Sequence, residues 1–213
     1  SYNKSFSELK KLQILEPLNE IKIIKEIKKV GSINDKISKE VKTFYEENPY
    51  PRWRYKLPNK QLKISSTHAI ASEIRPNLIS SNFESNQLKV LIAGCGTGSQ
   101  ILHAQIYKNA KITAIDLSSS SLAYAQRRIN ELNIKKVKLI EMDILEVSLL
   151  EEQFDIIECG GVLHHMDDPS KGVKALLGVL KTNGFLKLGL YSELARQNII
   201  QARSYIKSKK LQA

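Results

Sequence analysis

Apolar positions follow a helical period in the first part of the chain. From Pro17, the residues Leu18, Ile21, Ile24 and Ile27 recur at every third position with lysines between them. Pro17 suits a first helical position and Gly31 a stop, so the spacing predicts a helix between them. The dozen residues before Pro17 read as frayed. Ile37, Val41 and Phe44/Tyr45 fall on one face of a second helix, from Asn34 or Asp35 to Glu47. Asn48-Pro49 ends it, because the residue before a proline is pushed out of helical conformation. A rigid aromatic run follows, Tyr50-Pro51-Arg52-Trp53-Arg54-Tyr55. Residues 58–87 are polar and mixed, with a short helix predicted at 67–74.

The period changes at Leu88. Leu88–Ala93 is a short apolar run ending in glycines, as a strand buried on both faces would be. Further strands are predicted at Lys111–Ile115, Val137–Glu141, Phe154–Glu158 and Phe185–Leu190. Helices are predicted at 98–108, Ser118–Leu132, Lys171–Leu180 and Glu193–Lys209, and a turn at Thr182-Asn183-Gly184. Short strands alternating with amphipathic helices make an α/β protein with a parallel sheet. Right-handed crossovers make it a doubly wound, Rossmann-like sheet with its ligand site at the C-terminal strand ends. The chain divides near residue 60. Residues 1–60 form an N-terminal helical extension and candidate lid, and 61–213 a Rossmann-like domain with its core at 88–192.

Ala93-Gly94-Cys95-Gly96-Thr97-Gly98 lies where the first strand of that core turns into a helix. Dinucleotide enzymes use G-x-G-x-x-G there to seat a pyrophosphate. This loop is G-x-G-x-G, with Ser99 in the third dinucleotide position, which suits an uncharged or zwitterionic group along the loop. Asp116 stands 18 residues after Gly98, at the end of the second strand. An acid there accepts hydrogen bonds from ribose hydroxyls and disfavours a 2′-phosphate, and Leu117 beside it could pack on an adenine face. Asp143, at the end of the third strand, can accept from an adenine amino group, with Met142 and Ile144 as apolar neighbours. Either aspartate alone could be a helix N-cap; three matching places on successive strand ends point to one ligand.

Gly94-Cys95-Gly96-Thr97-Gly98, Asp116, Met142-Asp143 and Gly161-Val162-Leu163-His164-His165-Met166 together resemble the class I S-adenosylmethionine-dependent methyltransferases, over about residues 88–192. Tyr45–Trp53 resembles a segment found upstream of the methyltransferase domain in bacterial proteins carrying tetratricopeptide repeats, a group in which some relatives methylate protein lysines. The resemblance implies S-adenosylmethionine as cofactor, spent as S-adenosylhomocysteine. It implies that Ala93, Gly94, Cys95, Gly96 and Gly98 form the loop against the methionine part, that Asp116 holds the ribose, and that Asp143 reads the adenine between Leu117, Met142 and Ile144. Backbone at Cys159 and Gly160 would lie near the cofactor's amino group and transferable methyl. Two departures stand out. Ile92 replaces the acid that many relatives carry two residues before the first loop glycine. The family sheet has seven strands, whereas this chain ends about 20 residues after its fifth, so a fragment is expected or a bare sheet edge. Glu158-Cys159-Gly160-Gly161 also replaces the Asn/Asp-Pro-Pro-Tyr motif of amino-methylating DNA enzymes.

A base is needed only if the methyl acceptor must lose a proton. His164, His165 and Tyr50 are the candidates, with Tyr191 at the end of the fifth strand a further one; Arg52 and Trp53 join Tyr50 in the candidate lid. The alternative for the histidines is that one caps a helix and the other packs. His103 reads as structural, Cys95 and Cys159 as small fillers. Two cysteines make no disulfide framework and no metal site, which points to a reducing, cytoplasmic setting. No apolar run approaches the ~18 residues of a membrane helix.

The net charge of +11 invites a nucleic-acid reading. Its distribution argues otherwise: +6 over residues 1–60, +1 over 61–190 and +4 over 191–213. Lys outnumbers Arg 26 to 7; lysine codons are A/T-rich, and nucleic-acid readers lean on Arg. On the methyltransferase resemblance, the expected acceptor is a protein side chain or a small metabolite. A non-catalytic cofactor-binding module, an RNA methyltransferase using the basic flanks and a nicotinamide-dependent oxidoreductase are the rival readings.

Overall fold

The computed structural model describes residues 2–54, 63–77, 79 and 87–209. Tyr55, and residues 58–62, 78 and 80–86 of the polar stretch, lie outside the described residues. Six strands form one sheet: β1 (Lys28–Lys29), β2 (Leu88–Ala93), β3 (Ala110–Asp116), β4 (Val137–Glu141), β5 (Phe154–Gly160) and β6 (Leu180–Gly189). The helices are α1 (Tyr2–Lys10), α2 (Glu16–Ile24), α3 (Lys36–Glu47), α4 (Ser66–Glu73), α5 (Ser99–Ala104), α6 (Ser119–Glu131), α7 (Pro169–Gly178) and α8 (Gln197–Ser208). The sheet order is β1-β4-β3-β2-β5-β6 and all five pairings are parallel. The chain is thus the expected doubly wound, Rossmann-like α/β fold.

Strand alternation divides the core. Val90, Ile92, Ile112 and Ile156 face Ile101, Leu122 and Ile129 of α5 and α6, with Ile23 of α2 and Ile70 of α4 joining them. Leu91, Ala93, Ile115, Ile140 and Ile157 face Val147, Leu163 and, on α7, Leu176. Each fully buried Val, Leu or Ile contributes about 1.5–3 kcal/mol, so the central strands hold the frame that positions the site. Local signals start the helices where they stand. Asp35, Ser118 and Asp168 are N-caps that accept from Ser38, Ser121 and Ser170 N–H, and Pro169 opens α7.

Three expectations need correction. The first dozen residues are helical rather than frayed, as α1 followed by a π-turn at Lys11–Leu15. The helix begun near Pro17 stops at Ile24, and Lys28–Lys29 adds a short edge strand to β4, with Lys28 beside Ile140. Two exposed lysines suit a sheet edge, where charge discourages further pairing, but they gave no strand signal. The turn Thr182-Asn183-Gly184 lies inside β6: Leu180 pairs with Phe154 while Phe185 pairs with Ile156, and the residues between them form an irregularity in the strand. Among the described residues no helix is long and apolar enough to cross a membrane.

Candidate active site

The loop between β2 and α5 turns through left-handed backbone at Gly94, Gly96 and Gly98. A side chain at Gly94 would run into Val162. A Cβ at Gly98 would stand 2.9 Å from the Ala125 Cβ, so this glycine serves the packing of α5 against α6. The loop is held open by Asp116 at the end of β3. Its Oδ2 accepts from Gly96 N–H at 2.7 Å and its Oδ1 from Ser118 N–H at 3.0 Å. Burial raises the Asp116 pKa, and these two backbone N–H groups work against the rise. Each oxygen keeps a lone pair for a further donor. Asp143, after β4, caps the 3₁₀ turn Ile144–Leu150: Oδ1 accepts from Leu145 N–H at 2.9 Å. Its Oδ2 takes no hydrogen bond among the described residues. The capping role and a ligand role are thus compatible in one side chain.

Both aspartates line a cavity of about 300 Å³ at the C-terminal ends of β2, β3, β4 and β5. Of the sequence-predicted residues, Gly94, Cys95, Gly96, Asp116, Leu117, Met142, Asp143, Ile144 and Gly160 line it, together with Tyr50 and His165. Ala93, Gly98, Cys159 and His164 do not. Ala93 and Cys159 belong to the core beneath the site, because alternate residues of a strand face opposite sides. Burial pushes the Cys159 thiol up to about 12 and the Cys95 thiol well above its usual value, so neither is a thiolate near neutral pH.

The structure adds a wall that the motifs did not predict. Ile37, Ser38, Val41 and Tyr45 of α3 also line the cavity. Their apolar spacing marks a buried face, but nothing in it says that the face covers a ligand site. Glu46 secures α3 by accepting from Ser119 N–H at 2.8 Å and Ser120 N–H at 2.9 Å, at the N-terminus of α6. Lys42 pairs with the buried Glu141 of β4, which also accepts from Lys29 and Ser119. Burial opposes the Glu141 charge, yet these partners together hold its carboxyl below the usual range.

The aromatic run is a strap latched to the glycine loop. Trp53 Nε1–H donates to Thr97 O at 2.9 Å, while the Thr97 hydroxyl donates to Pro51 O. Tyr124 donates its hydroxyl to Trp53 O. Arg52 pairs with Glu20 of α2 at 3.0 Å, and Arg127, 3% exposed, binds Glu20, Glu16 and Glu131. Of the described residues of the strap, Tyr50 and Pro51 reach the cavity, while Arg52 and Trp53 anchor it from outside. The register partner of Ile92 is Glu158, but this acid does not stand in for the missing one: it accepts from the Tyr107 hydroxyl at 2.6 Å and does not line the cavity. Gln100, another lining residue the motifs passed over, donates its Nε2–H to Gly160 O at 2.9 Å.

Past β5, His165 stands on the cavity rim, its ring edge-on to Tyr45 at 6.1 Å. His164 packs between His165, at 4.2 Å, and Tyr191, at 4.1 Å. Packing lowers both histidine pKa values; the charges of His165 and Arg196 add to the effect at His164. Both imidazoles are therefore neutral near pH 7. Among the described residues no group of three His, Cys, Asp or Glu is placed to hold a metal ion.

Comparison with known proteins agrees with this geometry. Residues 91–188 match the methyltransferase domain family. An uncharacterized protein of Synechococcus is 31% identical over 190 residues, covering 83% of this chain and 42% of its own length. A malonyl-[acyl-carrier protein] O-methyltransferase of Priestia megaterium is 32% identical over 135 residues, covering 62% of this chain and 47% of its own. The magnesium protoporphyrin IX methyltransferase of Synechocystis, solved with bound S-adenosylhomocysteine, shares the fold with a TM-score of 0.54 at 19% identity, covering 79% of each chain. The chain spans about half the length of the curated relatives it matches. With its parallel sheet, its glycine loop and its two strand-end aspartates around one cavity, the segment 91–188 is thus similar to the methyltransferase domain family.

Proposed function

We propose that this chain transfers a methyl group from S-adenosylmethionine to a small molecule or a protein side chain. The observation that carries the reading is the single cavity wall shared by the glycine loop, Asp116 and Asp143. The residues present fit the cofactor. Asp116 has lone pairs to spare for a ribose diol, and the free Asp143 Oδ2 suits an exocyclic amino group. Leu117, Met142 and Ile144 offer apolar surface between them, and Gly96 leaves bare backbone beside the strap. When bound, the cofactor supplies a methyl group on a sulfonium. The protein's part is to hold, orient and exclude water. Here α3 and the strap close the cavity over the strand ends, and His165 stands neutral on the rim, able to take a proton.

The likeness of Tyr45–Trp53 to the segment upstream of repeat-linked methyltransferase domains belongs to this reading. It is supported by the places of Tyr45, Tyr50 and Pro51 in the cavity wall. On the same reading residues 1–60 and 61–213 work as one site. A reducing, cytoplasmic setting is supported by two free, buried cysteines. Calorimetry with S-adenosylhomocysteine tests the core of the proposal, and a folded sample that does not bind it overturns the assignment. Label transfer from methyl-tritiated S-adenosylmethionine to a cell extract, fractionated into protein, RNA and small molecules, then identifies the acceptor.

A further inference from the structure

A buried polar atom without a partner has given up water and gained nothing, so each one calls for a reason. Among the described residues, such side-chain atoms occur at Thr67, Gln100, Ser121, Arg128 and His164. Two of these residues, Gln100 and Ser121, line the cavity. The Ser121 hydroxyl can turn to give or to accept a proton and so names no ligand group. Gln100 is more constrained. Its Nε2–H donates to Gly160 O at 2.9 Å, and a Cβ at Gly160 would stand 3.3 Å from that nitrogen. A carbonyl oxygen can be met only by a donor, so this contact fixes which way the amide points. The other amide atom, Oε1, is left as a buried acceptor with nothing to accept.

The sheet order says which ligand group comes to it. S-adenosylmethionine carries three sets of hydrogen-bond donors: the adenine amino group, the ribose diol and the α-ammonium group. On the reading above, Asp143 serves the first and Asp116 the second. They follow β4 and end β3, and the sheet continues through β2 to β5. Neighbouring strands lie about 4.8 Å apart. A molecule laid across the strand ends, with adenine over β4 and ribose over β3, therefore brings its amino-acid part over β2 and β5, where Gln100 and Gly160 stand. Neither Ile92 of β2 nor its register partner Glu158 of β5 can serve it. Ile92 is apolar, and Glu158 accepts from Tyr107 and does not line the cavity.

We propose that Gln100 is a cofactor-binding residue, its Oε1 accepting an N–H of the α-ammonium group of S-adenosylmethionine. The inference rests on the methyltransferase reading above. The last torsion of a glutamine side chain is soft, so a modest rotation turns Oε1 toward the incoming donor while Nε2–H keeps Gly160 O. An amide oxygen has no proton to give, so it selects the ammonium over the carboxylate at the same end of the cofactor. The bond formed is charge-assisted and stronger than one between neutral groups. Binding thus satisfies an acceptor that the empty cavity leaves unmet.

Calorimetry on the full chain with three ligands tests this. They are S-adenosylhomocysteine, its analogue lacking the amino group, and methylthioadenosine, which keeps adenine and ribose and lacks the amino-acid part. The parent should bind S-adenosylhomocysteine about tenfold or more tighter than the desamino analogue. Gln100→Leu should lose about tenfold or more in S-adenosylhomocysteine affinity. The same variant should bind the desamino analogue and methylthioadenosine within about threefold of the parent, because neither offers the ammonium group. A merely structural role would weaken all three ligands together. Gln100→Met, of similar length and without the amide, carries the same comparison if the leucine variant does not fold. A folded parent that binds no S-adenosylhomocysteine overturns the methyltransferase reading and this inference with it. A parent that binds it overturns the inference alone if the variant keeps that affinity, or loses all three ligands alike.

Discussion

At the acidic end of the cavity, each contact comes from the last residue of a strand or the loop after it, and backbone N–H groups hold each carboxylate in place: Gly96 and Ser118 for Asp116, Leu145 for Asp143. The aromatic lining residues Tyr45, Tyr50, His165 and Tyr191 come instead from a helix, a strap, a 3₁₀ turn and the segment after β6. Ring packing joins Tyr45 to His165 and, through His164, His165 to Tyr191, while Tyr50 rides on the hydrogen-bonded strap. The first end is built by the sheet and moves only if the sheet moves. The second depends on how the N-terminal segment docks, and so on charge pairs far from the cavity. The fold thus keeps the geometry at the strand ends fixed while leaving the geometry of the aromatic rim open to change by residues outside the core.

The largest expected effect tests that dependence. Arg127→Met removes the buried cation shared by Glu16, Glu20 and Glu131, leaving Glu20 with Arg52 alone, and removing one side of a buried ionic cluster costs about 3–5 kcal/mol. Urea unfolding should show this loss, and hydrogen exchange should show α2, α3 and the strap opening before β2–β5. Simultaneous exchange of all these elements would erase the distinction between the two ends. Asp116→Ala comes next. It should weaken S-adenosylhomocysteine binding by about 1.5–3 kcal/mol, the scale of hydrogen bonds to a charged group. Calorimetry with unchanged affinity would remove Asp116 from the site.

A pH series gives a smaller, signed effect. The folded Glu141 carboxyl lies below its ordinary pKa of 4.5, so its pairing with Lys29 and Lys42 stabilises the fold fully above that value. The contribution is lost as pH falls through the lowered folded pKa. The difference in denaturation midpoint between the parent and Glu141→Gln should therefore be present at pH 7 and shrink toward pH 3; a constant gap would assign the role of Glu141 to packing. The smallest effect belongs to Tyr45→Phe. It keeps the ring against His165 and removes only a hydroxyl, so S-adenosylhomocysteine affinity should change by less than about 1 kcal/mol. A larger loss in calorimetry would place Tyr45 on the cofactor side of the comparison.

The difference between the two ends also explains what could be read in advance. β2 to β5 were legible because strands buried on both faces must be continuous apolar runs, and their ends fix where a glycine loop and two acids meet. Nine of the twelve residues expected at the cofactor line the cavity. Ala93 and Cys159, whose side chains lie in the core, are not in its lining, though Gly160, the other backbone position expected with Cys159, is; Gly98 is absent because its freedom is spent on the approach of α5 to α6. His164 and His165 are adjacent and alike in sequence, yet a single turn puts one on the rim and the other behind it. Lys28–Lys29 gave no strand signal, since an edge strand of two lysines buries nothing.

The sequence by itself determined the parallel sheet, the loop and the acids at successive strand ends, because periodicity and backbone requirements are local. Only the tertiary structure decided that an amphipathic helix face at Ile37, Val41 and Tyr45 roofs the cavity, that Thr97 and Trp53 latch a strap over the loop, and that three tyrosines from distant segments line one cavity. Those outcomes depend on which distant surfaces bury one another, and no spacing along the chain encodes that.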